Sequence, residues 1–171
     1  MKIGIIYATK GGTTRECAAL LAEKFIRQDV TLLEIGKDEI NLDEFELVLV
    51  GFPIRMARAQ RNARKFLKVN ADKLKEMKTA YFICCGLVDC FEEYAEKAIP
   101  KDLYEGALAI SCFGGSLDYT RFKRFDRLLV KTIRNEILGG GDNADQRKDM
   151  ALPTIFEANI SQFADSVKQK I

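Results

Sequence analysis

The sequence of 171 residues contains no histidine and no tryptophan. Without an imidazole, the chain can form neither a Ser-His or Cys-His nucleophile pair nor a histidine-ligated metal site. These absences exclude many of the common hydrolytic and metal-dependent mechanisms. Chemistry near neutral pH would therefore depend on a bound cofactor, and we predict no catalytic side chain and no metal ligand in this sequence.

Neither sign of charge dominates, since 27 lysines and arginines face 25 acidic residues and the formal net charge is +2. This balance excludes a strongly acidic carrier, and it favours no nucleic-acid partner because basic residues are not interleaved with exposed aromatic ones. The longest apolar runs are far shorter than the roughly 20 residues that cross a bilayer. With no leader pattern and an odd number of cysteines, we expect a cytoplasmic protein, with peripheral contact to the inner face of a membrane as a further expectation.

Apolar strand patterns alternate with amphipathic helix patterns along the chain, which predicts a doubly wound parallel α/β fold in one domain over residues 1–171. The predicted strands are 2–8, 30–35, 46–52, 78–85 and 106–113. The first predicted helix is capped by Thr13 or Thr14, and the others span 58–74, 91–98, 119–138 (stopped by the glycines at 139–141) and 154–168. Five such strands predict a flavodoxin-like sheet of order 2-1-3-4-5, with ligands bound beyond the carboxyl ends of strands 1, 3 and 4.

The segment after the first predicted strand is rich in threonine and glycine. Glycines let the backbone approach an anion, while threonine hydroxyls and the amides of a helix N-terminus donate hydrogen bonds to phosphate oxygens. The segment has neither a Walker nor a dinucleotide motif, and it lacks the acidic pair of response-regulator receivers and the C-x5-R of small tyrosine phosphatases. The alternative is a plain turn with a threonine cap. The predicted phosphate contacts are Thr9, Lys10, Gly11, Gly12, Thr13 and Thr14.

This loop resembles the flavodoxin phosphate loop, which holds the 5′-phosphate of FMN. Segments 51–55, 115–122, 125–127, 140–141 and 145–148 extend the likeness over nearly the whole chain to the quinone-dependent protoporphyrinogen dehydrogenases, which are flavodoxin-fold FMN enzymes of haem biosynthesis. One departure is the short connection after strand 4, where the bacterial enzymes carry a long insertion. The resemblance implies an FMN oxidoreductase with a porphyrinogen substrate and a quinone acceptor.

The same resemblance implies that the isoalloxazine ring lies between the loops after strands 3 and 4. A positive Arg55 near the ring would raise the flavin potential, and a solvated loop charge is the alternative. The absence of tryptophan predicts an unusual ring environment. The expected contacts near the ring are Pro53, Ile54, Arg55, Met56, Cys85, Gly86, Leu87, Val88 and, from the fifth-strand loop, Gly115.

Cysteines and basic clusters each allow a plain interpretation and a functional one. With no histidine and no C-x-x-C pair, we interpret Cys17, Cys85, Cys90 and Cys112 as small core thiols rather than as metal or redox groups. Cations are concentrated at 58–68 and 121–134. They are either solvated helix faces or surfaces for a membrane, for propionate groups or for an acidic redox partner.

Two classes of function therefore stay open. The first is an FMN oxidoreductase that resembles protoporphyrinogen dehydrogenase, favoured by the positive charge and by the segment that follows residue 138. The second is a non-enzymatic electron-transfer flavodoxin that docks a redox partner, favoured by the missing insertion. A third possibility is a flavodoxin-fold interaction module that does not bind FMN. The intact threonine and glycine loop argues against it.

Overall fold

The computed structural model describes residues 1–55, 57–86, 90–115 and 155–171. The described strands are β1 (Lys2–Tyr7), β2 (Asp29–Glu34), β3 (Leu47–Arg55), β4 (Arg58–Ala59), β5 (Lys78–Cys84) and β6 (Ile110–Cys112). The described helices are α1 (Thr13–Glu23), α2 (Arg61–Val69), α3 (Ala71–Lys75), α4 (Phe91–Ala98), α5 (Lys101–Glu105) and α6 (Glu157–Lys170), and Leu42–Glu44 forms a short 3-10 turn.

The sheet has the order β2-β1-β3-β5-β6, and all these neighbours run parallel. The two-residue strand β4 pairs antiparallel with the end of β3. Counted along the chain, the parallel strands follow 2-1-3-4-5, which confirms the predicted fold class. Because β1 lies between β2 and β3, the chain reverses its direction of winding there, and the loops after β1 and β3 diverge from the sheet at one shared edge.

Both faces of the sheet are covered, as the continuous apolar strands predicted. Along β3, Leu47 and Leu49 point into one core while Val48 and Val50 point into the other. The first core is completed by α1 and α6, and the second by α2 to α5. The alternation of side chains along each strand therefore separates two cores and leaves the carboxyl edge of the sheet for a site.

An aromatic cluster attaches α6 to the sheet. The rings of Phe82 on β5 and Phe113 after β6 are stacked with centroids 4.8 Å apart, and Phe163 of α6 meets Phe113 edge-on at 5.3 Å. The side chain of Asn159 also donates a hydrogen bond to the Cys112 carbonyl at 2.8 Å. These contacts fix the end of β6, which borders the carboxyl edge of the sheet.

The predicted helix over 58–74 is wrong at its start and in its continuity, since it begins later and is interrupted at Asn70. Arg58–Ala59 is a strand that folds back on β3, and the helical segment is divided at Asn70 into α2 and α3. The Asn70 side chain donates to the Phe66 carbonyl, as does its own backbone amide. A short polar side chain that satisfies the last carbonyls of a helix favours a break at that point.

Smaller corrections concern the ends of other elements. Neither Thr13 nor Thr14 caps α1, because Gly12 occupies the N-cap position in the left-handed conformation. The fifth parallel strand is limited to Ile110–Cys112 instead of 106–113, the last helix is Glu157–Lys170 instead of 154–168, and α5 was not predicted. The predicted helix at 91–98 is confirmed, whereas the one at 119–138 and its glycine stop lie outside the described residues.

Candidate functional site

The loop after β1 turns directly into the first turn of α1. Gly12 takes a φ of 92°, which disfavours side chains with a Cβ, and its amide donates to the Thr9 hydroxyl oxygen at 3.0 Å. Its carbonyl accepts the first helical hydrogen bond, from Glu16. By helix geometry the amides of Thr13, Thr14 and Arg15 have no acceptor within the helix. The N-terminal end of α1 thus offers donors and a partial positive charge to an anion.

Gln60 joins the loop after β1 to the loop after β3. Its side-chain amide donates to the Thr9 carbonyl at 3.3 Å, and its backbone amide donates to the Pro53 carbonyl at 3.2 Å. The Gln60 Oε1 atom is buried and has no hydrogen-bond partner among the described residues. Sequence reasoning missed this residue, since it precedes a helix that was expected to begin earlier and no pattern marks it as a bridge.

The loop after β3 is a tight hairpin rather than an open loop. Arg55 pairs with Arg58 and Ile54 with Ala59, so the chain reverses its direction between Arg55 and Arg58. Ala57 has a φ of 57°, a conformation that costs a residue with a Cβ about 1 kcal/mol. The hairpin extends Ile54 and Arg55 beyond Pro53, which is the last residue of β3 that pairs with β5.

The loops after β5 and β6 pack against each other with no space between their backbones. A Cβ placed on Gly115 would lie 3.2 Å from the Cys85 carbonyl carbon and 3.3 Å from the Gly86 nitrogen. A glycine is required at such a distance unless the neighbouring backbone shifts. The loop after β1 and the β3–β4 hairpin form one wall of the site. The contact between the loops after β5 and β6 forms the second wall, on the opposite side.

These loops border an open pocket of about 90 Å³ at the carboxyl edge of the sheet. The pocket is lined by Thr9, Lys10, Gly11, Thr13, Thr14, Pro53, Ile54, Arg55, Cys84, Cys85, Gly86 and Gly115.

Every described member of the predicted binding set lines this pocket except Gly12, whose amide is used inside its own loop. Met56, Leu87 and Val88 lie outside the described residues. Cys84 also lines the pocket, although the sequence analysis assigned it no contact. Side chains alternate between the two faces of a strand, so Cys84 and Cys85 face opposite sides of the sheet while both lie at its end. This alternation is the signal by which the sequence could have identified Cys84.

The pocket favours an anion at one end and an apolar surface at the other. Lys10 and Arg55 are its two cations, and no carboxylate stands among the described lining residues. Pro53, Ile54 and the thiols of Cys84 and Cys85 supply apolar surface, and no aromatic ring stands among the same lining residues. The pocket can therefore accommodate a ligand that combines a phosphate with a flat apolar group.

An ion-pair cluster holds the start of α1 against the end of β2. The carboxylate of the buried Glu34 lies 2.5 Å from the Arg15 guanidinium and 2.6 Å from the Lys37 amine. Burial raises the pKa of Glu34, but the hydrogen bonds from Lys37 and Arg15 outweigh it, so the pKa lies below its ordinary value. The cluster fixes the direction in which the N-terminus of α1 points.

Two pairs of buried thiols lie behind the pocket, one in each core. The Sγ atoms of Cys85 and Cys112 are 3.4 Å apart, and the Cys85 thiol together with backbone hydrogen bonds lowers the pKa of Cys112 to about 7, against burial. On the opposite face, the hydrogen bond with Cys17 and burial both raise the pKa of Cys84. Cys17, Cys85 and Cys112 are buried, as predicted, while Cys90 is half-buried.

Residues 4–145 match the family model of the flavodoxin domain. The chain belongs to this family. The match covers the loops after β1, β3 and β5, and the observed sheet order agrees with it. The flavodoxin domain therefore includes every element that contributes described residues to the pocket.

Individual relatives extend this assignment. The chain is 26% identical over 164 residues to the protoporphyrinogen IX dehydrogenase [quinone] of Escherichia coli strain K12, covering 88% of this chain and 86% of that protein. The oxidised flavodoxin 1 of Bacillus cereus shares 13% identity and superposes over 100% of this chain and 99% of its own with a TM-score of 0.53. Rubredoxin oxygen:oxidoreductase of Desulfovibrio gigas shares 14% identity at a TM-score of 0.50, over 99% of this chain and 36% of its own length.

The two structural likenesses show the fold. In the part of this flavodoxin-domain chain that the structure describes, no helix is both long enough and apolar enough to span a membrane.

Proposed function

We propose that this flavodoxin-domain protein binds FMN in the pocket at the carboxyl edge of its sheet and acts as an FMN-dependent oxidoreductase. One observation carries the proposal. The threonine and glycine loop, the N-terminus of α1 and two cations line the same pocket as two loops that supply apolar surface. The family assignment supports the same ligand, because the loop after β1 is the part of the sequence that resembles a flavodoxin phosphate loop.

The phosphate end of FMN fits the residues that follow β1. Lys10 contributes a charge, Thr9 and Thr13 contribute hydroxyls, and the first turn of α1 contributes unpaired amides. The absence of a carboxylate among the described lining residues favours a dianionic group there. Gly12 acts indirectly, since its left-handed conformation lets the loop turn into the helix.

The ring end fits the cleft between the β3–β4 hairpin and the loops after β5 and β6. Pro53 and Ile54 form one side, and Cys85, Gly86 and Gly115 form the other. The small residues on the second side leave room for a flat group to approach the backbone. Arg55 places a positive charge on the hairpin beside that group.

When bound, FMN would supply the acceptance and release of electrons. The residues of the chain bind the phosphate, orient the ring and exclude water from part of it. No histidine exists to move a proton, so the chain contributes positioning and electrostatics rather than an acid–base pair. The pocket therefore fits an oxidoreductase whose substrate docks against a fixed ring.

For the substrate, we propose a porphyrinogen, with a quinone as the electron acceptor. The support is the likeness to the E. coli enzyme over most of both chains. A second support is the basic face, defined here as Arg58, Arg61, Arg64, Lys65 and Lys68, all of them exposed. It adjoins the pocket, because Arg58 pairs with Arg55 across the hairpin. Exposed cations beside the pocket suit the propionate groups of a porphyrinogen.

A non-enzymatic electron-transfer role is the second candidate. The observation that favours it is the short connection between β5 and α4, which spans residues 85–90. The bacterial dehydrogenases have a long insertion at this place. A pocket without that insertion suits the docking of a protein partner, and the basic face would then meet an acidic surface.

The visible spectrum of the purified protein tests the cofactor. We expect a yellow protein, or one that becomes yellow on addition of FMN and retains the colour through gel filtration. A protein that stays colourless after addition of FMN contradicts both candidates. Turnover of protoporphyrinogen with a quinone acceptor then separates them, since a carrier reduces a partner protein but does not oxidise the porphyrinogen at a catalytic rate.

A further inference from the structure

Cys85 lines the cleft proposed for the ring of FMN, but the contact between its thiol and that of Cys112 has no part in the proposed function. Their Sγ atoms are 3.4 Å apart inside the second core, and each residue is 3% exposed. A disulfide requires sulfur atoms about 2.05 Å apart, so the two atoms would need to approach by about 1.4 Å. Thiols already in contact can close such a gap through rotation of the side chains and a small movement of one backbone.

The two cysteines differ in how firmly they are held. Cys112 ends β6, its carbonyl accepts a hydrogen bond from Asn159, and the next residue donates to the Ile83 carbonyl at 2.9 Å. Cys85 lies one residue beyond the end of β5 and precedes Gly86. Movement that closes the gap would therefore occur at Cys85, in the wall of the pocket.

The two cysteines of the pair are suited to different steps of a thiol–disulfide exchange. Cys85 lines the pocket and, although only 3% of it is exposed, it lies nearer than Cys112 to a small molecule that enters there. Cys112 lies behind it, and its lowered pKa, of about 7, gives it thiolate character near neutral pH. One cysteine borders the pocket and the other, held behind it, is a ready nucleophile, which is the arrangement of an attacked and a resolving cysteine.

We propose that Cys85 and Cys112 form a redox-active dithiol that a small disulfide oxidises to an intrachain disulfide in the wall of the pocket. In the first step the Cys85 thiol gives up its proton and attacks the small disulfide, so that a mixed disulfide forms and the released sulfur takes up the proton. In the second step the Cys112 thiolate attacks the Cys85 sulfur and releases the other thiolate. The protein loses two protons and two electrons, and the small disulfide becomes two thiols.

The bond has a consequence for the pocket. The backbones of Gly115 and Cys85 lie so close that a Cβ on Gly115 would be 3.2 Å from the Cys85 carbonyl carbon, so a shift of Cys85 is expected to move its own carbonyl or the loop after β6. Both groups border the cleft in which the ring of FMN is proposed to lie. Oxidation is therefore expected to weaken FMN binding about fivefold, an expectation that rests on the proposed function.

The other buried pair gives an internal control. Cys84 and Cys17 are neighbours in the first core, and Cys84 also lines the pocket. Burial and the Cys17 thiol raise the pKa of Cys84, which lowers the fraction of thiolate. This pair is expected to stay reduced under conditions that oxidise Cys85 and Cys112.

The test begins with the full chain, reduced and then incubated with 2-hydroxyethyl disulfide at pH 7.5. The number of titratable thiols after denaturation should fall from five to three, and peptide mapping should join Cys85 to Cys112. A count that stays at five overturns the proposal. So does a bond between Cys17 and Cys84, or a product that carries only mixed disulfides.

Variants resolve the two steps. Cys112→Ser should accumulate the mixed disulfide on Cys85, and Cys85→Ser should show no bond and no adduct at Cys112. Cys17→Ser and Cys90→Ser should react as the natural sequence does. Equal adduct formation at every cysteine in Cys112→Ser would overturn the assigned order of attack, while the peptide map of the natural chain remains decisive if a variant does not fold.

The effect on the pocket is measured as the dissociation constant for FMN of the reduced and oxidised protein. An unchanged constant overturns the coupling between the bond and the pocket. A reduced protein that binds no FMN contradicts the proposed function instead, whereas the thiol count and the peptide map still decide whether the dithiol exists.

Discussion

Lys10 and Arg55 are the two cations among the described residues that line the pocket. They stand on different loops, one after β1 and one on the β3–β4 hairpin, and both line the same cavity. The proposal assigns Lys10 to the phosphate and Arg55 to the ring. Single substitutions can separate these roles, because the two ends of FMN can be varied independently.

Lys10→Ala is expected to weaken FMN binding about tenfold, since a charge-assisted contact to a phosphate contributes about 1.4 kcal/mol or more. Binding of riboflavin, which has no phosphate, should not change. The measurement is a fluorescence titration of both ligands. Lys24→Ala removes an exposed cation at the end of α1, away from the pocket, and should leave both affinities intact. Equal losses for FMN and riboflavin would contradict the assignment of Lys10 to the phosphate.

Arg55→Ala is expected to lower the two-electron midpoint potential of the bound flavin by about 30 mV, which corresponds to about 1.4 kcal/mol. Reduction adds negative charge to the flavin, and Arg55 would stabilise that charge. The potential is measured by a dye-linked titration. Arg58→Ala, on the other strand of the same hairpin and absent from the pocket lining, should shift the potential much less. An unchanged potential in Arg55→Ala would show that the residue is a solvated loop charge.

At the level of elements, the site depends on where strands and helices end. The N-terminus of α1 is aimed by Glu34, which connects it to β2, and the second wall depends on the contact between the loops after β5 and β6. In neither case is a side chain that makes the contact assigned to the proposed ligand. Both can be tested by changes that leave the lining side chains in place.

Gly115→Ala is expected to lower the free energy of unfolding by about 1 kcal/mol and to weaken FMN binding severalfold, because its Cβ would press on the Cys85 backbone. Gly106→Ala is a matched control. Its Cβ would lie 3.2 Å from a backbone oxygen of Asp102, far along the chain from the pocket loops. Urea unfolding and FMN titration should show similar destabilisation in both variants and a loss of affinity in Gly115→Ala alone. Equal affinity in the two would refute the role given to this wall.

Glu34→Gln is expected to lower the free energy of unfolding at pH 7 by about 1–2 kcal/mol, since Arg15 and Lys37 lose a charged acceptor. The pKa of Glu34 is depressed below its ordinary 4.5 in the folded protein. Its stabilisation is therefore complete above that value and is lost as the pH falls through the folded-state pKa.

Urea unfolding of Glu34→Gln and the natural chain between pH 7 and pH 3 checks this prediction. The difference between them should be constant down to about pH 4.5 and should shrink below it. Glu39→Gln removes an exposed carboxylate and should change stability little at any pH. A difference that grows towards acid would contradict the sign of the argument.

Across the whole molecule, a small net charge conceals an uneven distribution. Residues 55–71 contain six cations and no acid. The five that form the basic face make no ion pair within the described part of the chain, whereas Lys73, Lys75 and Lys97 are each paired with a carboxylate. An unpaired basic surface beside a pocket attracts anionic substrates or partners over a distance set by the salt concentration.

Turnover of an anionic substrate, or association with an acidic partner, should therefore fall severalfold between 20 and 300 mM salt. Lys65→Glu should lower the second-order rate at low salt and flatten its dependence on salt. Lys101→Glu, an exposed cation on α5 away from the basic face, should behave as the natural chain does. Stopped-flow or steady-state kinetics over a salt series provides the measurement, and a rate independent of salt would remove the basic face from the docking surface.

The fold was predictable from the sequence to the level of strand order. Apolar runs such as 46–52 mark strands buried on both faces, and the glycines and threonines of residues 9–14 mark the loop at the switch point. The ends of elements were less predictable. The hairpin at residues 55–58 carries no asparagine–glycine or other turn signal, and Ala57 adopts its left-handed conformation because the pairing of β4 with β3 requires it.

The sequence by itself determined the class of fold, the place of the predicted anion-binding loop and the expectation of a bound cofactor. These depend on local periodicity and on residue types that are present or absent. The tertiary structure alone decided which side chains meet. Gln60 reaches Thr9 from 51 positions away, and Cys85 lies against Cys112 at a separation of 27. Such contacts depend on the register of neighbouring strands, where a shift of one residue turns every side chain to the opposite face.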